Sequence, residues 1–163
     1  MLTPLILNPM YKQPQSVQVV IFAGGGSARK YLLLRRIASH GGFWQSVTGS
    51  LELGESPEQA AVREVQEETG IEASIGSLID LRLKNVFKIA PEWLNKYAPG
   101  TVYNEEVCFA LNASEIVVRL DSREHDEYQW AGYDESMRLL FWESSKRAFA
   151  ATNRIENQAD DEA

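Results

Sequence analysis

Apolar and polar positions alternate through residues 16 to 22 (SVQVVIF), which sets Val17, Val19 and Ile21 on one face of a strand. The glycine-rich GGGSARK that follows reads as a turn, and the apolar run from Tyr31 to Arg36 returns as a second strand, so the two are expected to form a hairpin. Residues 38 to 56 are rich in Gly and Ser and predict loop with a short extended piece. Strand-like runs recur near 78 to 89, 101 to 111 and 128 to 133.

Two stretches carry the helical period instead. Ser56, Pro57 and Gln59 stand where an N-cap serine, an N1 proline and the third residue of a capping box belong, and Gly70 supplies a left-handed stop with Ile71 behind it. A second helix is predicted over roughly 134 to 151, where Met137, Leu140, Phe141, Ala148 and Phe149 recur on one side. Short strands mixed with two helices indicate an α+β or α/β sandwich. One domain over residues 1–152 accounts for the pattern, and the acidic end from 153 to 163 reads as a disordered tail.

Composition narrows the class. The chain has 163 residues, 44% of them hydrophobic, enough for one buried core. Its single cysteine, Cys108, cannot form an internal disulfide and lies in the apolar run VCFAL, as a buried strand residue would; with no Cys/His cluster of zinc spacing, a reducing, cytoplasmic setting is expected. The run Leu5-Ile6-Leu7 is too short for a signal peptide, and no stretch reaches membrane-spanning length. A net charge of −7 argues against polymeric nucleic acid or an anionic membrane as partner. A small phosphorylated molecule remains compatible if metal ions or a few local cations neutralise it.

Within this acidic chain, the helix over 57–69 crowds its charges. On a helical wheel Ala61, Val62, Val65 and Thr69 form the core-facing stripe, while Glu64, Glu67 and Glu68 gather on the neighbouring arc beside Ala60. Carboxylates at such spacing are about 5–6 Å apart at Cβ and repel by a few tenths of a kcal/mol per pair. The negative end of the macrodipole adds to the cost. A hard divalent cation resolves the repulsion with oxygen ligands alone, whereas a solvated acidic face is the ordinary alternative.

The preceding loop decides between them. Gly49, then Glu55, then Arg63-Glu64-Val65-Gln66-Glu67-Glu68-Thr69-Gly70-Ile71 reproduce, in residue type and spacing, the box of the Nudix hydrolases, and the chain resembles that family. Further strings, Tyr11-Lys12 with Pro14, Arg35-Arg36, residues 43 to 50 (FWQSVTGS), residues 97 to 100 (YAPG) and Glu124-His125 with Tyr128 and Trp130, are similar to the branch of the family that hydrolyses dihydroneopterin triphosphate in folate synthesis. The resemblance implies a Nudix fold, a mixed β-sheet sandwiched between α-helices. It implies Mg²⁺ as cofactor, with Mn²⁺ a possible substitute, and hydrolysis of a pterin triphosphate to its monophosphate and pyrophosphate.

The same resemblance assigns roles. Metal ligands are Glu64, Glu67, Glu68, the Gly49 carbonyl and Glu124, which is also a candidate base, with Glu127 competing for that position; Arg63 and Glu55 orient the ligands. Lys12, Arg35 and Thr48 contact the substrate, and Phe87 stacks on its ring. Trp44, Trp93 and Tyr97 could line the pocket, whereas His125 is left out of the site. The stretch from 85 to 95 (NVFKIAPEWLN) departs from the branch's pattern and bears on ring recognition more than on hydrolysis. Two other functions fit the box: pyrophosphohydrolysis of dATP or a damaged nucleotide, and a non-catalytic nucleotide sensor, which intact carboxylates disfavour. The partner is then a small pterin or nucleoside triphosphate, and the protein a monomer or homodimer.

Overall fold

The computed structural model describes residues 10–162, with side chains to residue 155. The run Leu5-Ile6-Leu7 lies outside the described residues. Within them, seven strands make one mixed sheet: β1 (Gln15–Ala23), β2 (Lys30–Arg36), β3 (Trp44–Gln45), β4 (Val47–Ser50), β5 (Leu78–Lys88), β6 (Tyr103–Asn112) and β7 (His125–Ala131). Strands follow the order β3-β2-β1-β6-β5; β4 also pairs with β1, and β7 with β2. The β1/β6 pair is parallel and the others are antiparallel.

The predicted β1–β2 hairpin forms, but only at its tip, Phe22 opposite Tyr31 and Ala23 opposite Lys30. Below that point the strands part. There β4 takes β2's place beside β1, with Thr48 opposite Gln18 and Gly49 opposite Val17, while β2 pairs with β3 and β7. The segment predicted as loop with a short extended piece contains two short strands, and the second sets Gly49 opposite Val17 of β1.

Helix α1 (Pro57–Thr69) lies against one face and forms as its caps dictate. Ser56 Oγ accepts from Gln59 N at 3.1 Å, Gln59 Oε1 accepts from Ser56 N at 2.9 Å, and Gly70 closes the helix at φ +79°. Its buried side is Ala60, Ala61, Val65, Glu68 and Thr69, with Val62 only half-buried. The helix is therefore rolled from the predicted stripe toward its acidic arc, which brings Glu64 and Glu68 against β4. Val17, Val19, Ile21, Leu34, Val47 and Phe109 complete this core.

The opposite face packs Val20, Phe22, Tyr31, Leu33, Cys108 and Ala110 against the C-terminal helices. The single predicted helix is broken into α2 (Tyr133–Leu139) and α3 (Glu143–Glu162). Leu140 is extended, bridged to Trp44 and buried in the core, and Phe141 N reaches Trp44 O at 3.5 Å. Stitching to β3 costs the helix a turn, and Phe141, expected on the buried side, is left exposed. Helix α3 also runs past the predicted helix end at 151 and domain end at 152: Asn153 Oδ1 accepts from the Tyr31 hydroxyl at 3.0 Å and Ile155 joins the core. The side chains of the acidic stretch beyond 155 lie outside those described. Among the described residues no helix is long and apolar enough to cross a membrane.

Candidate active site

Strand β4 and helix α1 meet at one position. A Cβ on Gly49 would lie 2.1 Å from the Glu64 carboxyl carbon and 2.2 Å from its Oε1, so a side chain at 49 and the present place of Glu64 exclude each other. One turn further along α1, Glu68 is buried, and its Oε2 accepts from Thr48 N at 3.3 Å. Glu64 and Glu68 are thereby held at the β4 edge by packing.

The Arg63 guanidinium grips this arrangement from outside. It holds both oxygens of Glu55 at 2.8 Å, donates to Ser50 O at 3.0 Å, and reaches Glu64 at 2.8 Å and Glu67 at 3.3 Å. That planar fork ties the loop before α1 to the helix itself. Its hydrogen bond is the main reason Glu55 sits below its usual pKa. Glu67 is more than half exposed, unlike Glu64 and Glu68.

Burial pushes the Glu64 carboxyl up to about 7; Arg63 opposes this, and the charges of Glu67 and Glu124 add to it. Glu68 is held well above the carboxylate range, first by burial and then by Glu64, with Glu124 contributing and Arg36 opposing. Glu124 comes from the turn before β7, distant in sequence from α1, yet its charge bears on both. The Lys12 ammonium is lowered by burial and by Lys96 and Arg36, while Glu124 and Glu64 pull it up, so this cation shares their field.

Of the two candidate carboxylates near β7, Glu124 faces the centre and Glu127 does not. Arg36 Nη1 pairs with Glu124 Oε2 at 2.7 Å, and Ile37 N donates to the Glu124 carbonyl at 3.1 Å. Glu127 pairs with Arg35 at 2.8 Å, and Asp126 holds Arg35 at 2.9 Å, on an exposed edge with the Arg35 guanidinium 5.9 Å from the Trp44 ring. The structure thus gathers Lys12, Thr48, Gly49, Glu64, Glu68 and Glu124; Arg35 stands on a neighbouring edge, and Phe87 on β5, three strands from β4. Trp93 is about half exposed on the turn 91–96, and Tyr97 is buried beside Lys12, whose Nζ lies 5.9 Å from its ring. His125 is fully buried, with Gln45 Nε2 3.1 Å from its Nε2.

Sequence reasoning missed Arg36 as the partner of Glu124 and the Ser50 carbonyl as an anchor for Arg63. The paired arginines at 35 and 36 were the available signal for the first; strand alternation puts them on opposite faces of β2, and only tertiary packing shows which one meets Glu124.

The donor set suits a hard divalent cation. Burial and neighbouring carboxylate charge raise the pKa of Glu64 and Glu68, Glu68 keeps only a single long hydrogen bond, and the absence of a Cβ at 49 opens the backbone beside Glu64. Among the described residues no three metal-binding side chains converge into a finished cage, since Glu64 is turned onto Arg63 and Glu124 onto Arg36. Those two arginines occupy the carboxylates a cation would recruit.

Comparison with known proteins agrees with this fold. A family model described as the NUDIX domain matches residues 12–152. A dihydroneopterin triphosphate diphosphatase of Escherichia coli K12 is 41% identical over 127 residues, covering 76% of this chain and 81% of that protein. An octanoyltransferase of Myxococcus xanthus is 38% identical over 141 residues, 83% of this chain, but the chain spans only 37% of its length. The solved dihydroneopterin triphosphate pyrophosphohydrolase of E. coli superposes with a TM-score of 0.73 at 36% identity, covering 86% of this chain and 94% of that one.

Proposed function

The chain belongs to the NUDIX domain family, and on that premise we propose that it hydrolyses dihydroneopterin triphosphate to dihydroneopterin monophosphate and pyrophosphate with Mg²⁺, which Mn²⁺ can replace. The observation that carries the reading is the packing of Gly49 against Glu64, with Glu68 buried beside it and Glu124 brought in from the β7 turn. Similarity to the E. coli diphosphatase over most of both chains supports the choice of substrate.

Glu64, Glu68 and Glu124, with the Gly49 carbonyl, would hold the metal, and Glu67 would share a second ion. When bound there, Mg²⁺ neutralises charge on the phosphate oxygens and acidifies water. The chain's own residues do the rest. Arg63 fixes Glu64 through its hold on Glu55 and Ser50 O, and Lys12 binds phosphate oxygens by charge-assisted hydrogen bonds, whereas Arg35 is engaged by Asp126 and Glu127. Water attacks the α- or the β-phosphorus, the bond from that phosphorus to the oxygen bridging the two breaks to leave monophosphate and pyrophosphate, and Glu124 accepts the proton of the attacking water.

Purified protein with Mg²⁺ and dihydroneopterin triphosphate should release pyrophosphate rather than orthophosphate. Glu68→Gln should lower kcat by roughly a hundredfold or more with the fold retained by circular dichroism. Orthophosphate release, or preferential hydrolysis of dATP in a parallel assay, would overturn the substrate assignment. A Glu68→Gln enzyme of near-normal rate would remove that residue from the metal site.

A further inference from the structure

The sheet face opposite α1 carries a polar floor that the hydrolytic reading leaves unused. Thr48, Gln18, Cys108 and Leu83 are successive Cα partners across β4, β1, β6 and β5; Ser50, Ser16, Glu106 and Asn85 form the next row, and Asn104 and Phe87 the one after. Residues paired in this way point to the same face. Gln18, Asn85 and Glu106 are all buried, yet they sit in rows that begin at the strand carrying Gly49 and end beside the exposed ring of Phe87.

The hydrogen bonds of this floor are lopsided. Ser46 Oγ donates to Gln18 Oε1 at 2.7 Å, which turns the Gln18 amide so that its Nε2 donates to Glu106 Oε1 at 2.9 Å. Arg147 Nε donates to Asn85 Oδ1 at 3.1 Å, which turns that amide so that its Nδ2 donates to the same Glu106 Oε1 at 3.0 Å. The Cys108 thiol faces Oε1 as well, at 3.9 Å. Oε2 accepts nothing among the described residues, and it is not among the polar atoms sealed from solvent without a partner. A side chain only 6% exposed therefore keeps one oxygen fully loaded and the other open. A network serving packing alone would use both oxygens, because leaving an acceptor short in a dehydrated place costs free energy.

We infer that Glu106 Oε2 is the acceptor for an exocyclic amino group of the substrate's ring, so that this floor selects the amino-oxo-pyrimidine edge shared by pterins and guanine. The inference deepens the proposed function and rests on that reading of the neighbouring site. The floor and α1 lie on opposite faces, but Glu68 meets β4 at the Thr48 N–H on the strand's outer edge, and β6 lies two strand spacings from β4, about 10 Å, so a short carbon chain carries a ring from that edge over to the floor. Phe87, two residues along β5 from Asn85 and on the same face, offers a π-surface at the floor's open end.

The test compares dGTP with dITP, which differ only in the amino group, for wild type and Glu106→Gln. Each is assayed as a substrate with Mg²⁺ or, where turnover is slow, as a competitive inhibitor. Gln keeps an oxygen for Gln18 and Asn85 but presents NH₂ in place of Oε2. Wild type should favour dGTP roughly tenfold or more, and the variant should bring that ratio close to one. Thermal unfolding checks that Glu106→Gln is folded, and Glu106→Asp, which keeps the charge but withdraws it, should give an intermediate ratio. A wild-type ratio near one, or a Glu106→Gln ratio as high as wild type, overturns the inference. Pyrophosphate release from dihydroneopterin triphosphate tests the function separately, so a protein that discriminates the nucleotides yet spares the pterin would refute only the latter.

Discussion

Gly49→Ala separates catalysis from folding. An added Cβ would sit 2.1 Å from the Glu64 carboxyl carbon and 2.2 Å from its Oε1, whereas ordinary contact begins near 3.5 Å. The carboxyl must therefore retreat by about 1.4 Å. The clash is with the end of a flexible side chain and not with backbone, so Glu64 swings out and loses its 2.8 Å pairing with Arg63. Losing that partly exposed pair costs about 1 kcal/mol, and replacing a strand glycine by alanine offsets part of it. The thermal midpoint should therefore fall by no more than about 4 °C. Catalysis has no such cushion, because a ligand displaced by about 1 Å typically costs about a hundredfold in rate. Pyrophosphate release measured against Mg²⁺ concentration, beside a thermal melt, reads both effects. A variant with kcat and Mg²⁺ half-saturation within threefold of wild type, or one that loses activity only because it unfolds, would refute the reasoning.

Glu124→Gln should reduce kcat by roughly a hundredfold to ten-thousandfold, the range for losing a general base, while Glu127→Gln, whose residue pairs with Arg35 on the surface, should stay within a few-fold of wild type; the two rates side by side decide between the carboxylates. Phe87→Ala should raise KM for the pterin triphosphate about twofold to tenfold with little change in kcat, as expected for a lost stacking contact, and an unchanged KM would place the ring elsewhere. Burial raises the Glu106 pKa above its unfolded value, against the pull of Asn85, Gln18 and Arg147. Its contribution to stability is thus fully present below about pH 4.5 and is lost as pH rises through the folded pKa. Glu106→Gln removes that loss, so its melting temperature should gain on wild type from pH 4.5 upward, and parallel curves would contradict the assignment.

Local signals carried the reading of α1 and its box. Ser56, Pro57, Gln59 and Gly70 cap the helix by contacts within a few residues, and the carboxylate spacing is fixed by helical period alone. What escaped was set at long range. The break at Leu140 to Trp142 depends on β3 capturing Leu140, which no periodicity within 134 to 151 announces. The roll of α1 that buries Ala60 and Glu68 in preference to Val62 follows from the vacancy at Gly49 on a strand that local sequence marks only as a short extended piece within a loop. The floor around Glu106 joins residues from five separate elements, and its polar side chains look like solvated strand positions until the register of β1, β5 and β6 is known.

β1 lies between β4, which bears Gly49, and β6, which bears Glu106, hydrogen-bonded to both along the same residues. It works as a gauge block: the separation between the place where phosphate is cut and the place where a ring is read is fixed by backbone pairing, which side-chain substitutions do not alter. Drift in amino acid sequence can change which ring is admitted without resetting how far the cut falls from it. Tolerance for a longer or shorter tether is then a property of the chain's topology.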